Sequence, residues 1–227
     1  MTTQTTAAQF VEPLEAAFTP MTDPDDRWLA SMLFRLLAKG APVDTARLAG
    51  AVGRPEADVA AALGEPRFDR LVYRDDRGRV VGFGGLAVGD LAKSPHRLKL
   101  DGRELHAWCA GDAVFLPLVL DREVPVESRC PTTGERISLT VSPESFADVE
   151  PAGAALSFLT PETLAARADA GGDVIASFCH FVHFFASEAA ADTWIAEHPG
   201  TIRISIADGF EIGRRWVLHL WGIGVER

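Results

Sequence analysis

The chain has 227 residues, 47% hydrophobic and 24% charged, the balance of a globular protein that buries a real core, either as one large domain or as a main domain with a small appendage. A formal net charge of -10 favours solubility and argues against a nucleic-acid partner for the chain as a whole. The opening MTTQTTAAQFVEPLEAAF has neither the basic nor the apolar region of a signal peptide, and no apolar run approaches the roughly 20 residues that span a bilayer, so the expected location is the cytoplasm, with no membrane partner.

Residues 1–22 are polar and alanine-rich and read as an N-terminal extension holding one loose helix at about 7–18. Asp23-Pro24-Asp25-Asp26 then carries helix-start chemistry, with carboxylates near the positive end of the dipole. Trp28, Leu29, Met32, Leu33, Leu36 and Leu37 follow at helical spacing, and Gly40 ends the run. Further helices are expected over 43–52 and 55–63, with Pro55 in a first-turn position. Residues 70–73 and 80–83 flank a glycine-bearing turn and read as a hairpin. Three helices followed by a hairpin is the order of a winged-helix module, over 23–84. Its charge is nearly balanced: Arg47, Arg54, Arg67 and Arg70 face Asp44, Glu56, Asp58 and Glu65. Phosphate binding needs a clear cationic stripe, so the module is expected to pack on the core.

From 85 to 227 short apolar or alternating runs dominate, at 104–108, 136–141, 155–159, 177–185 and 201–206. Turn signals at Pro131–Gly134 and Gly171-Gly172-Asp173 separate them. Ser187 is placed to cap a helix to about 197, stopped by Pro199-Gly200, and a last helix fits 209–220. The expected class is α+β: a winged-helix-like helical module followed by a mixed or antiparallel sheet core with helices.

The three cysteines, Cys109, Cys130 and Cys179, are odd in number and widely spaced, which argues against a disulfide framework or zinc ribbon and leaves free thiols. In LHAWCAGDAVFLP, a helix starting at Ala107 would put Cys109 and Asp112 on one face. The plain reading is a small buried hydrophobe beside a capping or arginine-paired acid. Against it stands the apolar setting, where a carboxyl tends to stay protonated and becomes a natural proton donor. In SFCHFVHFFAS, read as a strand, Cys179, Phe181 and His183 point one way and His180, Val182 and Phe184 the other. A zinc site from Cys109, Cys130, Cys179 and His183, or a Cys109–His183 hydrolase, has suitable residue types but no supporting spacing.

WCAGDAVFLP, SRCPTTGERISLTVSPES, VEPAGAALSF and SFCHFVHFFAS, in this order and at these distances, resemble organomercurial lyase, also called alkylmercury lyase, from about residue 25 to about 216. The resemblance implies a winged-helix-like N-terminal part, a distinctive α+β core, and cleavage of a carbon–mercury bond to a hydrocarbon and Hg(II). It implies a catalytic trio of Cys109, Asp112 and Cys179, with Cys130 structural. His180 stands where members often carry a second cysteine; on a strand it would face away from the trio. Asp112 is present where some relatives carry serine. Mercury(II) is soft and prefers thiolates, so Cys109 and Cys179 are the expected ligands of the substrate's mercury, with Asp112 completing the metal set. Cys109 is expected to bind first, assisted by Asp112, and Cys179 to complete the pair; Asp112 acts first as a base relieving one cysteine of its proton and then as an acid protonating the carbon. Leu105, Trp108, Phe115, Phe178 and Phe181 are expected to line the pocket for the organic group. No separate cofactor is implied, because the substrate brings the metal. The implied partners are the organomercurial and, for Hg(II), small thiols or a mercuric reductase; the chain is expected to be a monomer or homodimer. The alternative is a mercury- or metal-sensing winged-helix transcriptional regulator.

Overall fold

Short, well-punctuated helices build the N-terminal third, in a computed structural model that describes residues 7–18, 20–168 and 173–222. The expected first helix forms as α1 (Ala8–Ala17), with Phe10 and Leu14 buried. Asp23 caps α2 (Pro24–Leu37), its carboxylate accepting from the Asp25 amide at 2.8 Å. Leu29, Leu33, Phe34 and Leu37 form the buried stripe of α2. Trp28 does not join it and is 46% exposed, because it lies at the i, i+4, i+7 edge shared with Met32 and Arg35. Three further helices follow: α3 (Thr45–Val52), α4 (Glu56–Leu63) and the unexpected α5 (Pro66–Asp69). Pro55 is the cap of α4, one place before the first turn.

The hairpin forms as β1 (Val72–Arg74) and β2 (Val80–Phe83), but it does not stand alone. β2 pairs with β3 (Leu86–Ala87), so the sheet runs unbroken past residue 84. It continues through β4 (Arg97–Leu100), β5 (Arg103–Ala107), β6 (Val124–Arg129), β7 (Arg136–Val141) and β8 (Phe146–Glu150), in the order β1-β2-β3-β5-β4-β6-β7-β8. Every pairing in it is antiparallel. In β6 and β7 the residues alternate in burial, Val124, Val126 and Ser128 against Ile137, Leu139 and Val141, as the two-residue period of a one-faced sheet requires.

A second sheet centres on β9 (Ala155–Leu159), buried along its whole length, between β10 (Phe184–Phe185) and β11 (Thr201–Ser205). The strand expected over 177–185 is reduced to β10. What precedes it is helical: α8 (Val174–Ser177), then a 3-10 turn, Cys179–Phe181. Asp173 starts this by accepting from the Ile175 and Ala176 amides at 2.8 and 3.1 Å. Ser157 of β9 then takes both sides of the bend: its hydroxyl donates to the Phe181 carbonyl at 2.9 Å and accepts the His183 amide at 3.0 Å. The aromatic run reads as strand by propensity, but these local bonds win. Gly171 and Gly172 of the expected turn lie outside the described residues.

The remaining helices are α6 (Ala110–Leu120), α7 (Pro161–Ala168), α9 (Glu188–Ala196) and α10 (Ile206–Trp221). Ser187 caps α9 as expected. Ser205 caps α10, accepting the Asp208 amide at 3.0 Å, so that helix begins three residues earlier than expected. α10 packs along α6 and α1, and α1 also packs on α7. Gly213 permits the α10–α6 approach, since a Cβ there would stand 3.0 Å from Phe115 Cβ. One continuous apolar cluster joins the N-terminal helices to both sheets. Phe34, Phe83 and Trp221 meet at its centre, with ring centroids 4.8 to 5.3 Å apart. Among the described residues no helix is long and apolar enough to cross a membrane.

Candidate active site

β5 ends at Ala107, and the next two residues, Trp108 and Cys109, lead directly into α6. Cys109 is extended (φ -146°, ψ 177°) and caps that helix. Its Sγ accepts the Asp112 amide at 3.4 Å, while Asp112 Oδ2 accepts the Cys109 amide at 2.9 Å. This is a capping box with a thiol in the place of a hydroxyl. The three-residue spacing is therefore a cap-to-third-residue relation, and the helix starts at Ala110, not Ala107. Most of α6 is buried.

Cys179 arrives from the 3-10 turn after α8. Its thiol donates to the same Asp112 Oδ2 at 3.8 Å. The Ala110 amide donates to the Val182 carbonyl at 3.1 Å, fastening this turn to the start of α6. Tyr73 of β1 donates to Asp173 Oδ1 at 2.8 Å, which ties the hairpin to the cap of α8. The Cys109 and Cys179 sulfurs and an Asp112 oxygen all lie within 4.8 Å of one another, and all three residues are buried. Gly85 forms the floor beneath the carboxylate. Its φ is +98°, and a Cβ there would fall 2.5 Å from Asp112 Oδ1.

Burial governs the titration of the trio. It pushes the Asp112 carboxyl up to about 7, against the hydrogen bonds from Cys109 and Cys179 that favour its ionised form. It pushes the Cys109 thiol up to about 11 and holds Cys179 well above the ordinary thiol range. Both sulfurs thus rest as neutral thiols at neutral pH, and an incoming soft metal must displace their protons.

A small cavity touches Asp112 and Cys179. Trp108, Phe115 and Phe178 line it, as expected. Phe18, Leu71, Val174, Trp216, Leu220 and Trp221, with Gly84 and Gly85, complete it and were not expected. Trp216 gathers the aromatic wall, with centroids 4.8 Å from Phe18, 5.3 Å from Phe115 and 5.8 Å from Phe178. Leu105 is buried within β5 and does not line this cavity. Phe181 does not line it either; it is half-buried beneath the Arg167 guanidinium, 4.0 Å from its ring centroid. The reason is the 3-10 turn, which does not keep Cys179 and Phe181 on one side as a strand would.

The other expected ligands stay away. Cys130 sits in the β6–β7 turn, its carbonyl accepting the Gly134 amide at 2.8 Å. The His183 ring bonds the His180 carbonyl at 2.9 Å and packs edge-on against Trp194. Neither joins the sulfur–carboxylate cluster, so the zinc and Cys109–His183 arrangements do not form. His180 is exposed. The Gly84-Gly85 pair directly after a strand was a sequence signal for a close backbone approach. Phe18 and Trp216 gave no local signal.

Residues 91–218 match the family model described as alkylmercury lyase, and residues 9–84 match the helix-turn-helix domain of alkylmercury lyase. The alkylmercury lyase of Staphylococcus epidermidis is 37% identical over 187 residues, 82% of this chain and 80% of that protein. That of Pseudomonas putida is 38% identical over 181 residues, 80% of this chain and 79% of that protein. A crystal structure of the mercury-bound form of MerB2 shares the fold, with a TM-score of 0.71 at 23% identity over 93% of this chain and 97% of that one.

Proposed function

The chain belongs to the alkylmercury lyase family, and from that premise we propose that Cys109, Asp112 and Cys179 cleave the carbon–mercury bond of an organomercurial by protonolysis. The observation that carries this reading is the meeting of two buried thiols from distant segments at one buried carboxyl, within 4.8 Å.

Mercury enters as substrate, and the scheme calls on no resident cofactor. Cys109 forms the first sulfur–mercury bond, and its proton leaves on the substrate's displaced counter-ligand. Cys179 then bonds the same mercury, and its proton passes to Asp112 Oδ2, the oxygen it already faces at 3.8 Å. The base thus serves Cys179, whereas the sequence reading had Asp112 assist Cys109. Two sulfur donors push electron density toward carbon and weaken the Hg–C bond. Asp112, now protonated, gives that proton to the departing carbon. The products are the hydrocarbon and Hg(II) held by two thiolates. A carboxyl titrating near 7 suits both halves of this task, because a catalytic acid–base works best near the operating pH. Trp108, Phe115 and Phe178 would hold the organic group and keep water out. Hg(II) then leaves to a small thiol or to a mercuric reductase.

The rival, a mercury- or metal-sensing winged-helix regulator, draws no support from its module, whose match is to the helix-turn-helix domain of alkylmercury lyase. The test is to incubate a small amount of protein with phenylmercury and excess thiol and to measure benzene in the headspace. Many molecules of benzene per protein are expected. Binding without benzene would sink the lyase reading and leave a sensor or scavenger.

A further inference from the structure

The cavity beside Cys179 and Asp112 adjoins a wider one. Phe18, Leu71, Val174 and Leu220 line both, an apolar partition common to the two. The outer cavity, about 310 Å³, adds Pro66, Arg67 and Arg70. A third space, beside Phe178, is lined by Arg70 again and by Arg167. Every charged side chain lining these two outer spaces is an arginine, although the chain carries a net charge of -10.

The three arginines differ in what already holds them. Arg67 pairs with the buried Asp26 and approaches Glu65 at 3.9 Å. Arg167 donates to the Ser177 carbonyl and lies over the Phe181 ring. Arg70 is exposed, and its guanidinium has no hydrogen-bond or ion-pair partner among the described residues. It is the cation at this mouth whose donors remain uncommitted.

We propose that Arg70 receives a carboxylate on the thiol that carries the organomercurial, so that the preferred substrate is an anionic complex R–Hg–S–R′ in which R′ bears the acid. This deepens the lyase reading and rests on it. The chemistry of the metal requires a carrier, because mercury in a thiol-containing solution is held by sulfur. A bare R–Hg cation would find no carboxylate among the residues that line this mouth. A guanidinium, by contrast, grips a carboxylate through two parallel hydrogen bonds. With the carrier's acid held at Arg70, its R–Hg end would lie against the Phe18, Leu71, Val174 and Leu220 partition that the inner cavity shares. Exchange then follows without redox change. The Cys109 sulfur–mercury bond forms, the carrier sulfur–mercury bond breaks, and the cysteine proton departs on the carrier thiol.

The experiment compares phenylmercury presented as its mercaptoacetate complex and as its mercaptoacetamide complex, each with the same excess of its own thiol. These carriers differ in the carboxylate, and its effect on thiol basicity is the same for the parent and for Arg70→Gln, so the change in ratio between the two proteins reads Arg70 alone. The expected result is a kcat/KM ratio of about fivefold in favour of mercaptoacetate at low salt, the size of one solvent-screened ion pair. The ratio should fall toward one as salt is added, and Arg70→Gln should bring it near one while Arg70→Lys retains most of it. A ratio near one in the parent protein, or a ratio unchanged in Arg70→Gln, overturns the proposal. Should Arg70→Gln fail to fold, the parent's salt dependence and Arg70→Lys still decide. Benzene from the mercaptoacetamide complex with no carboxylate preference removes Arg70 and leaves the lyase standing. Benzene from neither complex removes both.

Discussion

The Cys179 thiol faces Asp112 Oδ2 from 3.8 Å, although 67 positions of chain separate the two residues. The same oxygen accepts the Cys109 amide. One carboxylate oxygen is therefore the junction at which both cysteine segments meet. Its position is fixed from one side by a helix cap and from the other by a bent segment anchored on Ser157. The proton it handles has a short path from sulfur, and the cavity wall around it is aromatic.

That junction sets a pH dependence with a definite sign. The ionised carboxylate takes the Cys179 proton, so kcat/KM should rise with pH up to about 7 and level off above it. In Asp112→Asn this rise should vanish from whatever activity remains. Stability runs the other way. The folded carboxyl is raised to about 7, whereas the unfolded one titrates near its ordinary value of about 4. Between these values the folded protein keeps a proton that the unfolded chain has lost, so stability falls as pH rises through that window, by on the order of a few kcal/mol. Denaturant titrations at several pH values should show that slope in the parent protein and not in Asp112→Asn.

The cysteines should separate by role. Cys109→Ser and Cys179→Ser each remove a soft donor, and turnover should drop at least about a hundredfold, the scale of losing even an outer partner of a metal site. Cys130 lies in the β6–β7 turn outside the cluster. Cys130→Ser should keep turnover close to the parent's while lowering the melting temperature. Hg(II) release measured with a colorimetric chelator distinguishes these cases, and equal losses at all three would contradict the assignment.

Gly85→Ala tests the floor of the site. The added carbon would stand 2.5 Å from Asp112 Oδ1, on a backbone at φ +98°. Stability should fall by about 1–3 kcal/mol. Turnover should fall further, by about a hundredfold, because the carboxylate must shift. A variant that is destabilised but fully active would show that the carboxylate needs no such support.

Ser157 is completely buried and serves both arms of the Cys179 segment. Ser157→Ala leaves the Phe181 carbonyl and the His183 amide without that partner, at a cost of about 1–3 kcal/mol. Hydrogen exchange should rise at His183 more than in β7. Protection unchanged there would mean that other contacts hold the bend.

The sequence displayed local order well and long-range closure poorly. The Asp23 and Ser187 caps, the stripe of α2 and the 70–83 hairpin all follow from residue type and spacing over a few positions. Cys109 and Asp112 were close because a cap and its third residue always are. The bend at Cys179 was hidden, because its aromatic residues favour a strand and the serine that prevents one sits on β9. For the same reason Phe181 was placed in the pocket it does not line, while Phe18 and Trp216, brought in by α1 and α10, were missed. The quoted motifs supplied the pairing of Cys109 with Cys179 through family resemblance. Spacing alone did not supply it.

Intact-protein mass spectrometry after one equivalent of phenylmercury tests the division of labour most directly. The parent protein should release benzene and gain the mass of one mercury less two protons. Asp112→Ala should instead gain phenylmercury less one proton for each sulfur bonded, and hold it. If Asp112→Ala also releases benzene and retains bare mercury at the parent's rate, the carboxyl is not the proton donor.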